Sequence, residues 1–211
     1  MTSLTHPAWA LVIKRMFDML FSLFVLLLIW PLIAVIAIAI KIFSPGPVFY
    51  RGVRAGLHGK PFRIIKFRTM VEDAESLGGP TTGTNDRRVT RIGALLRRTK
   101  LDELPQFLNV LTGEMSLVGP RPEVMEYTAT YKSDEKCIFS MRPGITDYAS
   151  IEFADLDDMV GDSDPDRYFR EHIMPCKTAL RVKYVKDWSL WSDFLILWMT
   201  IFRVIKRIAV R

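Results

Sequence analysis

The chain has 211 residues, of which 49% are hydrophobic, 25% charged and 11% aromatic, with 29 basic and 23 acidic side chains. This balance excludes a disordered chain, and the length allows one domain with a real core. Two cysteines, Cys137 and Cys176, lack a Cys-x-x-Cys spacing, which excludes a disulfide scaffold and a cysteine-type zinc site and fits a reducing compartment.

Charge is unevenly spread. Residues 1–101 hold 15 basic and 5 acidic side chains, a balance of +10, and residues 102–211 hold 14 and 18, a balance of −4. The positive half also contains Met19 to Ile40, 22 residues without a charge. As a helix this run could cross ~30 Å of hydrocarbon. It is too long for a signal-peptide core. Pro31 lies near its middle and removes a donor, so a kink is expected there. Both flanks are positive, with Lys14 and Arg15 before and Lys41, Arg51 and Arg54 after, which places both on the cytoplasmic side. A re-entrant helix broken at Pro31 meets that condition, and a kinked spanning helix is the alternative. Ser22 is a candidate partner for backbone groups freed at the break.

Ser44-Pro-Gly-Pro47 stops the first helix. Val48–Val53 and Pro61–Met70 read as a β-hairpin. Ser76–Asp86 reads as a loop, and Ile92–Arg98 and Leu104–Leu111 as helices. Rigid turns are expected at Val118–Pro122 and Met141–Gly144. Asp147–Glu171 reads as an acidic surface loop with short helical pieces, and Tyr168–Val185 as helix around Pro175. Tyr184, Trp188, Trp191, Leu195, Trp198, Phe202 and Ile205 form one helical stripe. With Arg203, Lys206, Arg207 and Arg211 beyond it, the stripe suits a headgroup boundary. The expected fold is α+β: a re-entrant N-terminal helix (1–43), a catalytic region (44–187), and an interfacial helix with a basic tail (188–211).

The densest polar cluster is Arg97-Arg98-Thr99-Lys100-Leu101-Asp102-Glu103-Leu104-Pro105. Pro105 belongs in a first helical turn, so Asp102 can be an N-cap. Two carboxylates beside cations and free amides can also serve phosphoryl transfer to or from an aspartate. No Walker A loop, Gly-x-Gly-x-x-Gly fingerprint or His-Glu-x-x-His occurs. Gly119-Pro-Arg-Pro122 pins Arg121 between prolines, pre-organised for an anionic or planar group. Met141-Arg-Pro-Gly-Ile-Thr146 repeats that theme with Arg142.

These segments resemble a known family. Lys14-Arg-Met-Phe-Asp18, Lys66-Phe-Arg-Thr-Met70, Val89-Thr-Arg-Ile-Gly93, Leu101-Asp-Glu-Leu-Pro-Gln106, Asn109 through Pro122 and Arg142-Pro-Gly-Ile-Thr146 occur in the order found in bacterial sugar transferases. These are monotopic phosphoglycosyl transferases. The resemblance implies transfer of a sugar-1-phosphate from a UDP-sugar to a polyprenyl phosphate, with release of UMP. It implies Asp102 as nucleophile and Mg²⁺ ligand, and Glu103 as its partner in the dyad. Lys66, Arg68, Arg97, Pro120, Arg121, Pro122 and Arg142 are the expected substrate-binding residues. It also implies a re-entrant helix, membrane lipid as a partner, and a place on the cytoplasmic face of the bacterial inner membrane; the cations, gathered near apolar segments rather than alternating with aromatics, argue against nucleic acid. A homo-oligomer is left open. Larger members carry further spanning helices ahead of the catalytic part, for which this sequence has no room. One stretch departs: many members follow Arg-Pro-Gly-Ile-Thr with Gly-Trp-Ala-Gln-Val-Asn-Gly-Arg, and here Asp147-Tyr-Ala-Ser-Ile-Glu-Phe-Ala154 stands instead. With Ala154 in the arginine's place, Arg142 is the expected substitute cation. The competing reading is a non-enzymatic membrane adaptor that binds anionic lipid.

Overall fold

The computed structural model describes residues 6–74, 76–79, 81–83, 86–154 and 164–210, the last four by backbone alone. The apolar run becomes one helix, α1 (Ala8–Phe43), of 36 residues. At 1.5 Å per residue it is ~54 Å long. Pro31 lies inside it, and the chain stays helical on both sides. The expected break is therefore not an interruption of the helix. Proline removes only its own donor, and the bonds of the neighbouring turns keep the segment helical. Among the described residues, α1 is the one helix long and apolar enough to cross a membrane. It stops where expected, with Ser44 N–H still bonded to Ile40 O (2.9 Å) ahead of Pro45 and Pro47.

The polar N-terminal part of α1 is buried, not free. Lys14 Nζ donates to Val118 O (2.9 Å) and pairs with Asp193 (2.6 Å). Arg15 donates to Val110 O (2.7 Å) and Leu111 O (3.1 Å). Asp18 accepts from Ser116 Oγ (2.6 Å). Ser22 is buried, but its hydroxyl has no partner among the described residues. At the far end Ile36 and Ile40 pack with Phe67 and Leu96. Between these anchors Phe24, Leu27, Leu28 and Trp30 are exposed.

The hairpin pairs β1 (Phe49–Ala55) with β2 (Pro61–Phe67), antiparallel, with Phe49 opposite Phe67 and Gly52 opposite Ile64. Next comes α2 (Arg91–Thr99), capped by Thr90 Oγ1, which accepts from Gly93 N (3.0 Å). Lys100 then takes the left-handed conformation, φ +59°. That is uncommon for a residue with a Cβ. It ends α2 and starts a 3-10 turn, Leu101–Glu103, followed by α3 (Gln106–Thr112).

Beside the two expected turns, which stay outside regular structure at Gly119–Pro122 and Met141–Pro143, an unexpected parallel pair forms: β3 (Ser116–Val118) and β4 (Gly144–Thr146). Gly119 and Gly144 meet at its edge, and a Cβ on Gly144 would lie 2.1 Å from Gly119 N. Only glycine allows that approach. Then follow α4 (Met125–Thr128), α5 (Tyr148–Glu152), α6 (Pro165–Tyr168), a π turn (Phe169–Ile173), α7 (Met174–Lys186) and α8 (Leu190–Val210). The expected acidic loop is corrected at Asp147, which is buried and caps α5; residues 155–163 lie outside the described residues.

The aromatic stripe is also corrected. It is cut between α7 and α8. Tyr184 and Trp188 enter the main core with Val110, Met115 and Val185, while Trp191, Trp198, Phe202 and Ile205 stay exposed. The reason is polar: Tyr184 OH (2.7 Å) and Trp188 Nε1 (3.1 Å) both donate to Asp193 in the first turn of α8. A buried indole or phenol needs such a partner.

Candidate active site

Asp102 and Glu103 leave the same 3-10 turn for different surroundings. Glu103 Oε1 accepts from Lys66 Nζ (3.0 Å) and from the Arg121 guanidinium. Lys66 is set by β2, which Asn109 ties to α3: Oδ1 accepts from Ile65 N and Nδ2 donates to Arg63 O, both at 2.9 Å. Arg121 is held from two sides. Its Nη1 donates to Ile145 O (2.8 Å), and its backbone N–H donates to Asp147 Oδ2 (2.9 Å). Burial alone would raise the Glu103 pKa, but Arg121, Lys66 and Lys100 outweigh it and hold it well below the usual carboxylate range.

Asp102 is buried too, yet its Oδ1 has no hydrogen-bond partner among the described residues. The N-cap expectation is corrected: Pro105 holds that position on α3, and no side chain caps it. The 3-10 turn sets Asp102 ahead of the amides it would have capped. Burial first, and the Glu103 charge second, push the Asp102 carboxyl up, while Lys66, Lys100 and Arg97 pull it back. Arg97 is steadied by its Nη2 bond to Thr82 Oγ1 (2.9 Å). The turn thus presents one carboxylate paired with two cations through Oε1 and one whose Oδ1 has no partner among the described residues. Such an oxygen can attack an electrophilic centre or bind a cation.

Two expected substrate-binding residues are employed elsewhere. Arg68 Nη2 donates to Ser44 O (2.6 Å) and Nη1 to Pro45 O, clamping the chain as it leaves α1. Arg142 Nε donates to Gly113 O (2.8 Å) at the end of α3, so it does not replace a cation beside the dyad. Each is drawn to carbonyls that a helix end or turn leaves open. Lys66, Arg97 and Arg121 do gather around the dyad. Pro120 and Pro122 flank Arg121 and line a hollow with Gly56, Tyr131 and Phe139.

Sequence reasoning missed Asn109, Thr82 and Gln106. Gln106 is fully buried with neither amide atom bonded among the described residues. Its spacing four residues beyond Asp102 was the available signal.

Among the described residues, no group of three or more His, Cys, Asp or Glu side chains could hold a metal ion. Asp102 nevertheless fits Mg²⁺. That ion is commonly held by one or two carboxylates, with phosphate and water oxygens completing its octahedron.

The profile of the bacterial sugar transferase family matches residues 9–207. The chain belongs to that family. It is 38% identical over 195 residues to the UDP-glucose:undecaprenyl-phosphate glucose-1-phosphate transferase of Escherichia coli K12, covering 90% of this chain and 40% of the relative. It is also 38% identical to the UDP-N-acetylgalactosamine-undecaprenyl-phosphate N-acetylgalactosaminephosphotransferase of Aeromonas hydrophila, covering 94% of this chain and 44% of that protein. A Bacillus subtilis relative named uncharacterized sugar transferase EpsL is 35% identical, covering 92% of this chain and 88% of its own length. The chain thus spans well under half the length of the first two and most of the third. The family profile starts inside α1 and ends inside α8, so it takes in both the long apolar helix and the Asp102–Glu103 pair.

Proposed function

We propose that this sugar transferase moves a sugar-1-phosphate from a UDP-sugar to a polyprenyl phosphate such as undecaprenyl phosphate, and so starts assembly of a bacterial glycoconjugate. The observation that carries the reading is the unpartnered Oδ1 of buried Asp102 beside Glu103, whose Oε1 is held by Lys66 and Arg121. Asp102 attacks the β-phosphorus of the donor. The bond from that phosphorus to the bridging oxygen breaks, and UMP leaves. An aspartyl-phosphosugar remains. An oxygen of the polyprenyl phosphate then attacks the same phosphorus, the acyl-phosphate bond breaks, and the Asp102 carboxylate returns. Lys66, Arg97 and Arg121 supply positive charge to the phosphates, and Glu103 holds Lys66 and Arg121 in place. Mg²⁺, when bound beside Asp102, would neutralise diphosphate charge.

The names of the relatives support a UDP-sugar donor and an undecaprenyl phosphate acceptor. The test is UMP release from a panel of UDP-sugars with Mg²⁺ and undecaprenyl phosphate. Turnover is expected with at least one donor, and Asp102→Asn is expected to abolish it. Wild-type turnover in that variant would remove Asp102 as nucleophile. No UMP from any donor would leave the lipid-binding adaptor.

The same reading places α1 as a re-entrant helix in the inner membrane, with the catalytic part on the cytoplasmic face. Support comes from its two anchors: Lys14 to Asp18 and Ile36 to Ile40 both pack on the catalytic region, with exposed apolar residues between. A helix crossing the bilayer could not return its far end to that region. The exposed Trp191, Trp198 and Phe202 of α8 suit the adjoining headgroup layer. In a background lacking Cys137 and Cys176, cysteines at residues 3 and 60 are expected to be labelled from the same side. Labelling from opposite sides would exclude re-entry.

A further inference from the structure

Asp147 belongs to the stretch read from sequence as acidic surface, yet its side chain is 1% exposed. Burying a carboxylate is costly unless its oxygens are engaged, and the two oxygens of Asp147 have separate tasks. Oδ1 accepts from Ser150 N and Ser150 Oγ, both at 2.6 Å, which is ordinary capping of α5. Oδ2 plays no part in that cap. It accepts the Arg121 backbone N–H (2.9 Å) and Arg181 Nε (3.2 Å). Arg181 comes from α7, is also 1% exposed, and makes a second ion pair through Nη2 with Glu123 Oε1 (2.8 Å). Arg121 in turn reaches Ile145 O and Glu103.

We propose that Asp147 and Arg181 are positioning residues for the dyad: Arg181 orients the Asp147 carboxylate, which fixes the backbone of Arg121 and so aims its guanidinium at Glu103. The route is contiguous and runs from Arg181 on α7 through Asp147 and Arg121 to Glu103. Arg121 needs such a hold because its planar fork serves two acceptors on different elements, and a small backbone shift loses one of them. Glu103 faces Lys66 from β2, Arg121 from its turn, and Lys100 and Asp102 on its own segment, so Lys66 alone cannot centre it. The inference rests on the transferase reading of the site.

The test separates cap from relay. Asp147→Ser keeps a good N-cap for α5 and removes Oδ2. In the otherwise wild-type protein it is expected to lower kcat for UMP formation by about tenfold. In an Arg121→Ala background it should change the residual rate by less than about twofold, because the group it positions is already gone. Equal fold losses in both backgrounds would overturn the relay and leave Asp147 a cap only. Arg181→Lys keeps the buried charge and should give a smaller loss, about threefold, that does not add to Asp147→Ser; additive losses would exclude Arg181 from the route. Absence of UMP release from the wild-type protein would refute the transferase reading instead. The relay is then read without turnover, as a thermal-unfolding cycle of Asp147→Ser with Glu103→Gln. Non-additive melting shifts are expected, since both residues act on Arg121, and additive shifts would overturn the relay.

Discussion

Arg121 and Arg142 stand in nearly the same local sequence. Each has a proline beside it, each lies two residues from a glycine of the β3–β4 crossing, and each reads as a pre-organised cation. The structure sends them apart. Arg121 leaves the end of β3 toward Glu103, with Asp147 behind it. Arg142 enters β4 from the other side, and its Nε meets Gly113 O, near the carbonyls that Arg15 holds. A proline can fix an arginine's backbone, but the partner is decided by which end of a strand carries it. Carbonyls at and just past the end of α3 lack a full set of helical partners and accept from the guanidinium that lies nearest.

The contrast can be broken at three points. Arg121→Ala should cost the most, about a hundredfold or more in UMP formation, because Glu103 loses its second cation and the diphosphate a donor. If activity survived within a few-fold, the dyad would not depend on this turn. Gly144→Ala should come next. Its Cβ would meet Gly119 backbone atoms at 2.1–2.7 Å, so β3 and β4 must separate. About 1–3 kcal/mol of stability should be lost, with activity falling through the displaced Arg121, seen in melting and turnover together. Arg142→Ala should do least. The loss of one bond to Gly113 O is worth about 1 kcal/mol, a melting shift of ~2–4 °C in a chain of this size, with UMP formation within about twofold of wild type. A loss as large as that of Arg121→Ala would return Arg142 to the site.

Much of the fold was legible where one residue property repeats over many positions. The long uncharged run, the proline stop at Ser44–Pro47 and the alternating hairpin all appear close to where periodicity put them. The parallel pair did not, because three-residue strands are too short to show a period. The stripe from Tyr184 to Ile205 kept its spacing across a helix end, which periodicity cannot detect; the break at Asp187–Ser189 depends on Asp193 reaching back to Tyr184 and Trp188. At the site, clustering in sequence located Asp102, Glu103 and Arg97. It could not say that Arg68 would be spent on Ser44 and Pro45, since that bond joins residues 24 positions apart. Nor could it foresee Asp147, whose partners Arg121 and Arg181 lie on other elements.

The unbonded oxygen of Asp102 has a thermodynamic consequence for ligand binding. A buried acceptor without a donor costs roughly 1–3 kcal/mol in the empty protein. Any ligand that satisfies it gains that amount on top of its own contacts. Occupancy of this site should therefore stiffen and stabilise the chain beyond what the new contacts alone supply, through the linkage that ties folding to binding. A cation or a hydrogen-bond donor seated on this oxygen would complete the part of the fold that the polypeptide leaves unfinished.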